Sequence, residues 1–471
     1  NEFTYYRNLA FFGMATYSYK GRYTINGTIR YEGTNKLGKS RQARWLPTWN
    51  VSGAWNAHEE RWWQPTFGSN WTNASLKLSY SLTADRGPAS VTNSLAVFEA
   101  YSPWRPLASV TETGIALAAL ENSELTYEKK HEFNIGAAFG FVSNRVNFEI
   151  DYYKRNNYDL IGYVQTAGVG GEIDKLANDA SMESSGVEFT ISTVNVDIKN
   201  FRWTSDLIFS HTKNRITRLN SFSQVTSLVN GYGRLVDYPI GALFSIPFAG
   251  LTEEGLPTFY SNKERTEIYG PDNYSEINFQ EYDKVDYLKY EGSIDPTVFG
   301  SFNNTFTIIN DLKVGIFLTY SFGNVLRLNP LCNVYASEYS DLTASMKEMK
   351  NRWMVPGDEN RTDIPVIASK RQFETIPGLN YAYSAYNYSD KRVAKGDFIR
   401  LKEIFVEYNF PKKWFEGQKV VSSFSAKISG TNLALLYADK KLNGQDPEYY
   451  NSGGVSSPIP RQFTLTVRLG L

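Results

Sequence analysis

The chain has 471 residues, 15% of them aromatic, and its 49 Lys and Arg balance its 49 Asp and Glu. That balance gives no bias toward a polyanion such as nucleic acid. A single cysteine, Cys332, excludes an internal disulfide framework or thiolate metal site, and His58, His131 and His211 share no ligand spacing.

The apolar positions alternate. A first strand is expected over about Tyr5 to Tyr19, with its apolar positions in two phases. After the turn Lys20-Gly21-Arg22, the residues Tyr23, Ile25, Gly27, Ile29 and Tyr31 share one face, with Thr24, Asn26, Thr28 and Arg30 on the other. Trp45, Trp49, Val51 and Trp55 mark a third strand, where Pro47 signals a strand start or a bulge. Leu76, Leu78 and Tyr80 mark a fourth, followed by a long loop through Tyr101-Ser102-Pro103-Trp104.

The middle of the chain is clearer. Phe133, Ile135, Ala137 and Phe139 alternate up to the turn Ser143-Asn144-Arg145, and Val146, Phe148, Ile150 and Tyr152 follow. Glu149 and Asp151 occupy the alternate face, which suits a wet lumen and not a dry core. Strands follow at Val187–Ile191 and Trp203–Phe209. From about Leu219 to Ser293 the alternation dissolves, with room for a small local hairpin. It resumes at Val298–Ile308 and Leu312–Phe322, joined by an Asn310-Asp311 turn. A polar region over about Arg327 to Lys395 holds one expected helix near Ser340 to Trp353, with Leu342, Met346, Met349 and Trp353 on one face. Three strands close the chain near Asp397–Phe410, Val420–Leu433 and Arg461–Leu471.

No apolar run approaches the roughly 18 residues of a membrane helix, the longest being Ile115 to Leu120. A membrane β-barrel strand needs only about 9–11 alternating residues. The expected fold class is all-β, a transmembrane antiparallel barrel in which this chain supplies about 13 strands. Short and long connections alternate, as in barrels with short periplasmic turns and long extracellular loops. The long loops are expected at about 84–124, 166–182, 215–294, 326–395 and 436–459. If the short turns are periplasmic, the last strand runs inward and Leu471 ends in the periplasm. Counting back, the first strand also runs inward. Single-chain bacterial barrels have even strand numbers, and open sheet edges cannot sit unpaired in lipid. The chain also begins at Asn1 without an initiator Met or signal peptide. Residues 1–471 are therefore expected to need another polypeptide, or an upstream segment of a longer product, to supply the remaining strands.

Several stretches carry a family resemblance. They are Leu125-Thr126-Tyr127-Glu128, Asp151-Tyr152-Tyr153-Lys154-Arg155, Ser185-Gly186-Val187-Glu188-Phe189, and Asp295-Pro296-Thr297 through Phe306. Phe322-Gly323-Asn324, Arg352-Trp353, Gly396-Asp397-Phe398-Ile399-Arg400-Leu401-Lys402 and Ser429-Gly430-Thr431-Asn432-Leu433 follow. Gln445-Asp446-Pro447-Glu448 and Pro458-Ile459-Pro460-Arg461 complete the set. In this order and spacing the chain resembles the C-terminal part of a SusC/RagA-type TonB-dependent outer-membrane transporter of the Bacteroidetes. The resemblance implies about 22 strands around an N-terminal plug, with the plug outside this chain. It implies import of oligosaccharides or oligopeptides, a SusD-like surface lipoprotein as lid, and energy from TonB–ExbB–ExbD. A dimer of transporter–lipoprotein pairs is a further expectation. No cofactor or nucleic acid is implied. Two departures stand out. Leu471 replaces the family's terminal aromatic, and Glu281-Tyr282-Asp283-Lys284-Val285-Asp286 replaces an Asp/Asn/Gly-rich run, so no calcium site is carried over.

Glu149/Asp151 and Asp446/Glu448 read as solvated faces, because no nucleophile or histidine accompanies them, and no enzyme is expected. Tyr381, Tyr383, Tyr386, Tyr388 and Trp104 are the candidate substrate or lid contacts, since aromatic rings stack on sugars and anchor interfaces. An interfacial aromatic girdle or plain loop packing is the competing reading of the tyrosines. Trp62 and Trp63 read as membrane-interface anchors. Arg468 and Lys313 fall on the polar face. Two other function classes stay open: a passive porin or structural barrel, and a soluble extracellular glycan-binding β-protein.

Overall fold

A computed structural model describes residues 6–87, 95–103, 113–168, 174–309, 311–331, 347–414, 422–450 and 457–470. Thirteen strands form one sheet whose spatial order is the chain order. They are β1 (Asn8–Tyr19), β2 (Tyr23–Thr34), β3 (Trp45–Asn56), β4 (Trp71–Asp85), β5 (Glu128–Phe141), β6 (Val146–Gln165) and β7 (Asp174–Ile198). β8 (Phe201–Leu219), β9 (Val298–Ile308), β10 (Leu312–Phe322), β11 (Phe398–Asn409), β12 (Ser423–Ala438) and β13 (Gln462–Gly470) complete it. The chain divides into two compact units. The first is residues 1–195 with 205–221 and 236–238, and the second is 196–204 with 222–235 and 239–471.

In the first unit, register aligns Leu78, Ile135, Tyr152 and Val187 across β4 to β7 as one apolar row. The opposite face is polar, and Lys77 Nζ lies 3.3 Å from Glu149 there. Backbone geometry explains the hairpins. Lys20 and Gly21 both adopt left-handed φ, as do Val142, Ser143 and Asn144, and such turns match the twist of paired strands. Pro47 pairs with Tyr31 of β2, and the β3–β4 ladder starts only at Trp49. The proline therefore sits where no second ladder needs its missing N–H. The connection expected at 166–182 is shorter, because β7 already starts at Asp174. Trp63 is not an interface anchor. It is buried beside Ala57 and Ala74, and its indole Nε1 donates to Trp71 O at 3.0 Å, whereas Trp62 is exposed.

In the second unit, Val314, Val406, Ile428 and Leu465 form the corresponding apolar row across β10 to β13. The adjacent positions Lys313, Glu407 and Lys427 alternate in charge on the other face. This unit's core lies in its long connections. Leu228, Phe259, Tyr274, Leu379, Tyr383 and Tyr386 are all fully buried there. The region where alternation dissolves holds a small hairpin, as expected, and further short strands. Ala242–Ser245 pairs with Lys289–Ser293, and Phe248–Leu251, Pro257–Tyr260 and Ile268–Tyr269 form a second sheet. Val325–Arg327 pairs with Val393–Lys395. The helix expected near Ser340 is a 3-10 segment over Lys347–Asn351, and Leu342 and Met346 lie outside the described residues. Met349 and Trp353 are buried, as the predicted face requires.

Gly378 opens the helix Leu379–Asn387 with φ +77°, and a β-carbon there would collide with the backbone of Ser275. Gly378→Ala is expected to destabilise this packing by about 1–2 kcal/mol from the left-handed backbone alone. Hydrogen exchange along Leu379–Asn387 reads the effect, and unchanged protection would contradict it.

Candidate functional site

Arg400 stands near the start of β11, flanked by register shifts at Ile399/Arg400 and Leu401/Glu403. Such bulges re-aim side chains. Opposite, Asn432 takes a left-handed φ of +55° inside β12, a conformation asparagine tolerates better than most residues. Arg400 Nη1 donates to Asn432 Oδ1 at 2.9 Å, and Asn432 Nδ2 donates to Ile459 O. Arg400 Nη2 reaches both Asp446 carboxylate oxygens at 2.6 and 2.7 Å and Glu448 Oε2 at 2.9 Å. Asp446 also caps the turn Pro447–Tyr449 by accepting from Glu448 N at 3.1 Å. Three stretches thus meet around one guanidinium that is 4% exposed, and Asn432 ties in a fourth at Ile459. They line a cavity of about 680 Å³ that also receives Asn329, Tyr449 and Arg461. Asp446 is a structural partner of Arg400, and the solvated-face reading fails for it.

A neighbouring knot holds the connections together. Phe322-Gly323-Asn324 meets Gly396-Asp397, since Gly323 N donates to Asp397 Oδ1 at 2.7 Å and Gly396 N to Asn324 O at 2.9 Å. Gly323 has φ +84°, and a β-carbon would strike Thr297, so the Asp295-Pro296-Thr297 stretch closes on it too. Arg327 lies deeper. Its Nη1 donates to Ser389 O at 2.7 Å, and its Nη2 donates to Phe244 O at 2.6 Å, Ser245 Oγ at 3.0 Å and Val229 O at 3.3 Å. Burial pushes its pKa down to about 10, so it keeps its proton at neutral pH. Arg392 is buried, pairs with Glu348 and donates to Asn329 O at 2.7 Å.

A second cavity, of about 760 Å³, opens beside Arg392. Lys350, Arg352, Arg361, Lys391, Arg392 and Lys441 line it, against the carboxylates of Glu348, Asp358 and Asp363. The sequence-predicted tyrosines do not converge on it as a group. Tyr383 and Tyr386 are core residues. The Tyr383 hydroxyl donates to Val366 O at 2.6 Å, and the Tyr386 ring meets Phe248 edge-on at 5.8 Å. Tyr388 is half-buried and stacks edge-on with Phe279 at 5.9 Å. Tyr381 is exposed, and Trp104 lies outside the described residues. These three arginines were missed as site residues. Arg400 was legible only as part of a familiar stretch, and Arg327 and Arg392 stand in no pattern at all.

A family model described as "TonB dependent receptor-like, beta-barrel" matches residues 1–247. TonB-dependent receptor P26 of Formosa agariphila is 26% identical over 484 residues, covering 99% of this chain and 46% of the receptor. TonB-dependent receptor SusC of Bacteroides thetaiotaomicron is 26% identical over 216 residues, covering 45% of this chain and 21% of SusC. Among solved structures, the RagAB peptide transporter superposes with a TM-score of 0.76 at 20% identity, over 98% of this chain and 48% of that one. The chain spans a little under half the length of receptor P26 and of the RagAB chain.

Proposed function

Because the chain belongs to the TonB-dependent receptor-like β-barrel family, we propose that it forms the C-terminal wall and extracellular loops of an outer-membrane importer of oligomeric nutrients. The observation that carries this reading is the division of labour within the fold. The sheet presents an apolar row on one face and polar residues on the other, which suits lipid outside and a wet lumen inside. The long connections, meanwhile, fold around their own buried core and hold two lined cavities. A passive pore needs no such cavities in its loops. Their place at one end of the strands suits capture of ligand outside the membrane. The short turns and the end of β13 then face the periplasm.

A plug supplied by the rest of the protein gates the lumen, TonB–ExbB–ExbD energises its release, and a SusD-like lipoprotein covers the loops. Exposed Tyr381 serves as a contact for ligand or lid. The chemistry is binding and passage, with no bond made or broken.

Native mass spectrometry of the particle extracted from outer membranes tests this. The expected result is this chain travelling with a plug-bearing portion and a lipoprotein. A stable monomer recovered without detergent would overturn the proposal.

A further inference from the structure

The cavity beside Arg392 is lined by six basic side chains and three carboxylates. Those carboxylates are already engaged. Glu348 pairs with Arg392 and accepts from Asn443 Nδ2 at 2.9 Å. Asp363 pairs with Lys391 at 2.8 Å. Asp358 Oδ2 accepts from the backbone N–H groups of Met354 and Val355, both at 3.1 Å. Among the described residues the side chains of Lys350, Arg352, Arg361 and Lys441 have no carboxylate partner. The Arg352 and Lys441 side chains donate to Met349 O and Val393 O. Arg392, only 4% exposed, adds its charge to the cavity wall. Clefts with low-dielectric walls and one sign of charge concentrate ligands of the opposite sign.

Resting on the importer reading above, we propose that this cavity is an entry subsite for an anionic oligosaccharide, one bearing sulfate or carboxylate groups along a hydroxylated chain. Arg352 and Arg361 present planar forks that fit such oxyanions, and Lys350 and Lys441 act as point charges. Asn351 and Asn443 line the same cavity, and an amide both donates to and accepts from hydroxyls. This amide-and-cation lining suits a saccharide better than an acidic peptide, whose backbone would seek a strand edge.

The test is calorimetric titration of the extracted particle with four probes: a chondroitin sulfate oligosaccharide, an oligogalacturonate, maltohexaose and hexaglutamate. Binding of the sulfated or the uronate probe, weakening as salt rises, is expected, and which of the two binds identifies the anionic group. The double variant Lys350→Glu/Arg361→Glu should weaken that binding at least about tenfold, from two exposed charge contacts reversed. Both side chains are exposed, and the milder pair Lys350→Gln/Arg361→Gln should weaken it in the same direction if the reversal disturbs folding. Equal binding of maltohexaose, tighter binding of hexaglutamate, or undiminished binding by both double variants would each overturn the assignment. A particle that is intact in the membrane yet binds neither anionic probe overturns this subsite alone. A chain that never enters the membrane overturns the importer reading instead.

Discussion

Arg400→Met is expected to release the segment around Asp446 while the strands stay paired. Removing one partner of a buried ion pair strands the other, and such losses run to about 3–5 kcal/mol. Asp446 would be that stranded group, since its side chain is only 9% exposed and takes both of its charge-assisted contacts from Arg400 Nη2. Glu448 is 42% exposed and contributes little, about 0–1 kcal/mol. Asn432 would lose the donor that holds its side chain across to β11. Hydrogen exchange should therefore show Pro447–Tyr449 losing protection, with Val406–Ile428 and the rest of the β11–β12 ladder unchanged. The double variant Arg400→Met/Asp446→Leu should recover much of the loss, because it removes both charges together. If Arg400→Met leaves the segment as protected as before, the guanidinium is not what closes it.

The contrast between Arg400 and the strands shows what a sequence of this kind exposes. The strands are readable because their side chains meet two different solvents, so identity alternates with a period of two. The row Val314, Val406, Ile428 and Leu465 follows from alternation once the strands are placed in order. The connections obey no such period. Many of their buried residues sit on pieces of four or five residues, such as Ala242–Ser245 and Val225–Val229, too short for any repeat to register. The tyrosines illustrate the ambiguity. Tyr383 and Tyr386 are three apart and share the buried face of a helix, whereas Tyr381 falls off that face. Without a helix in view, all of them look like one loop cluster. The arginine contacts were less legible still. The partners of Arg327 are mostly main-chain carbonyls, which every residue carries and no composition reveals.

That dependence on main-chain acceptors makes Arg327 the second position where a large effect is expected. Its two terminal nitrogens bridge the residues ending the helix Val225–Val229, the strand Ala242–Ser245 and the turn at Ser389. Ser389 O also accepts from Arg392 N at 3.0 Å, but Arg327→Met would take the guanidinium from all of these buried acceptors, and a polar group left unsatisfied costs about 1–3 kcal/mol. The terms are not additive, so about 2–4 kcal/mol is expected for the whole knot. Arg327→Lys should recover little, because one ammonium cannot reproduce a planar fork aimed at acceptors on three segments. The loss should appear as faster exchange in Ala242–Ser245 and Val393–Lys395 together, since Arg327 itself pairs with Val393. β12 and β13 should be unaffected, because neither contributes an acceptor to this side chain. Opening confined to Val325–Arg327 would mean that the guanidinium merely fills space. Joint opening would make it the bond that turns separate loops into one folded body, on which the cavity beside Arg392 depends.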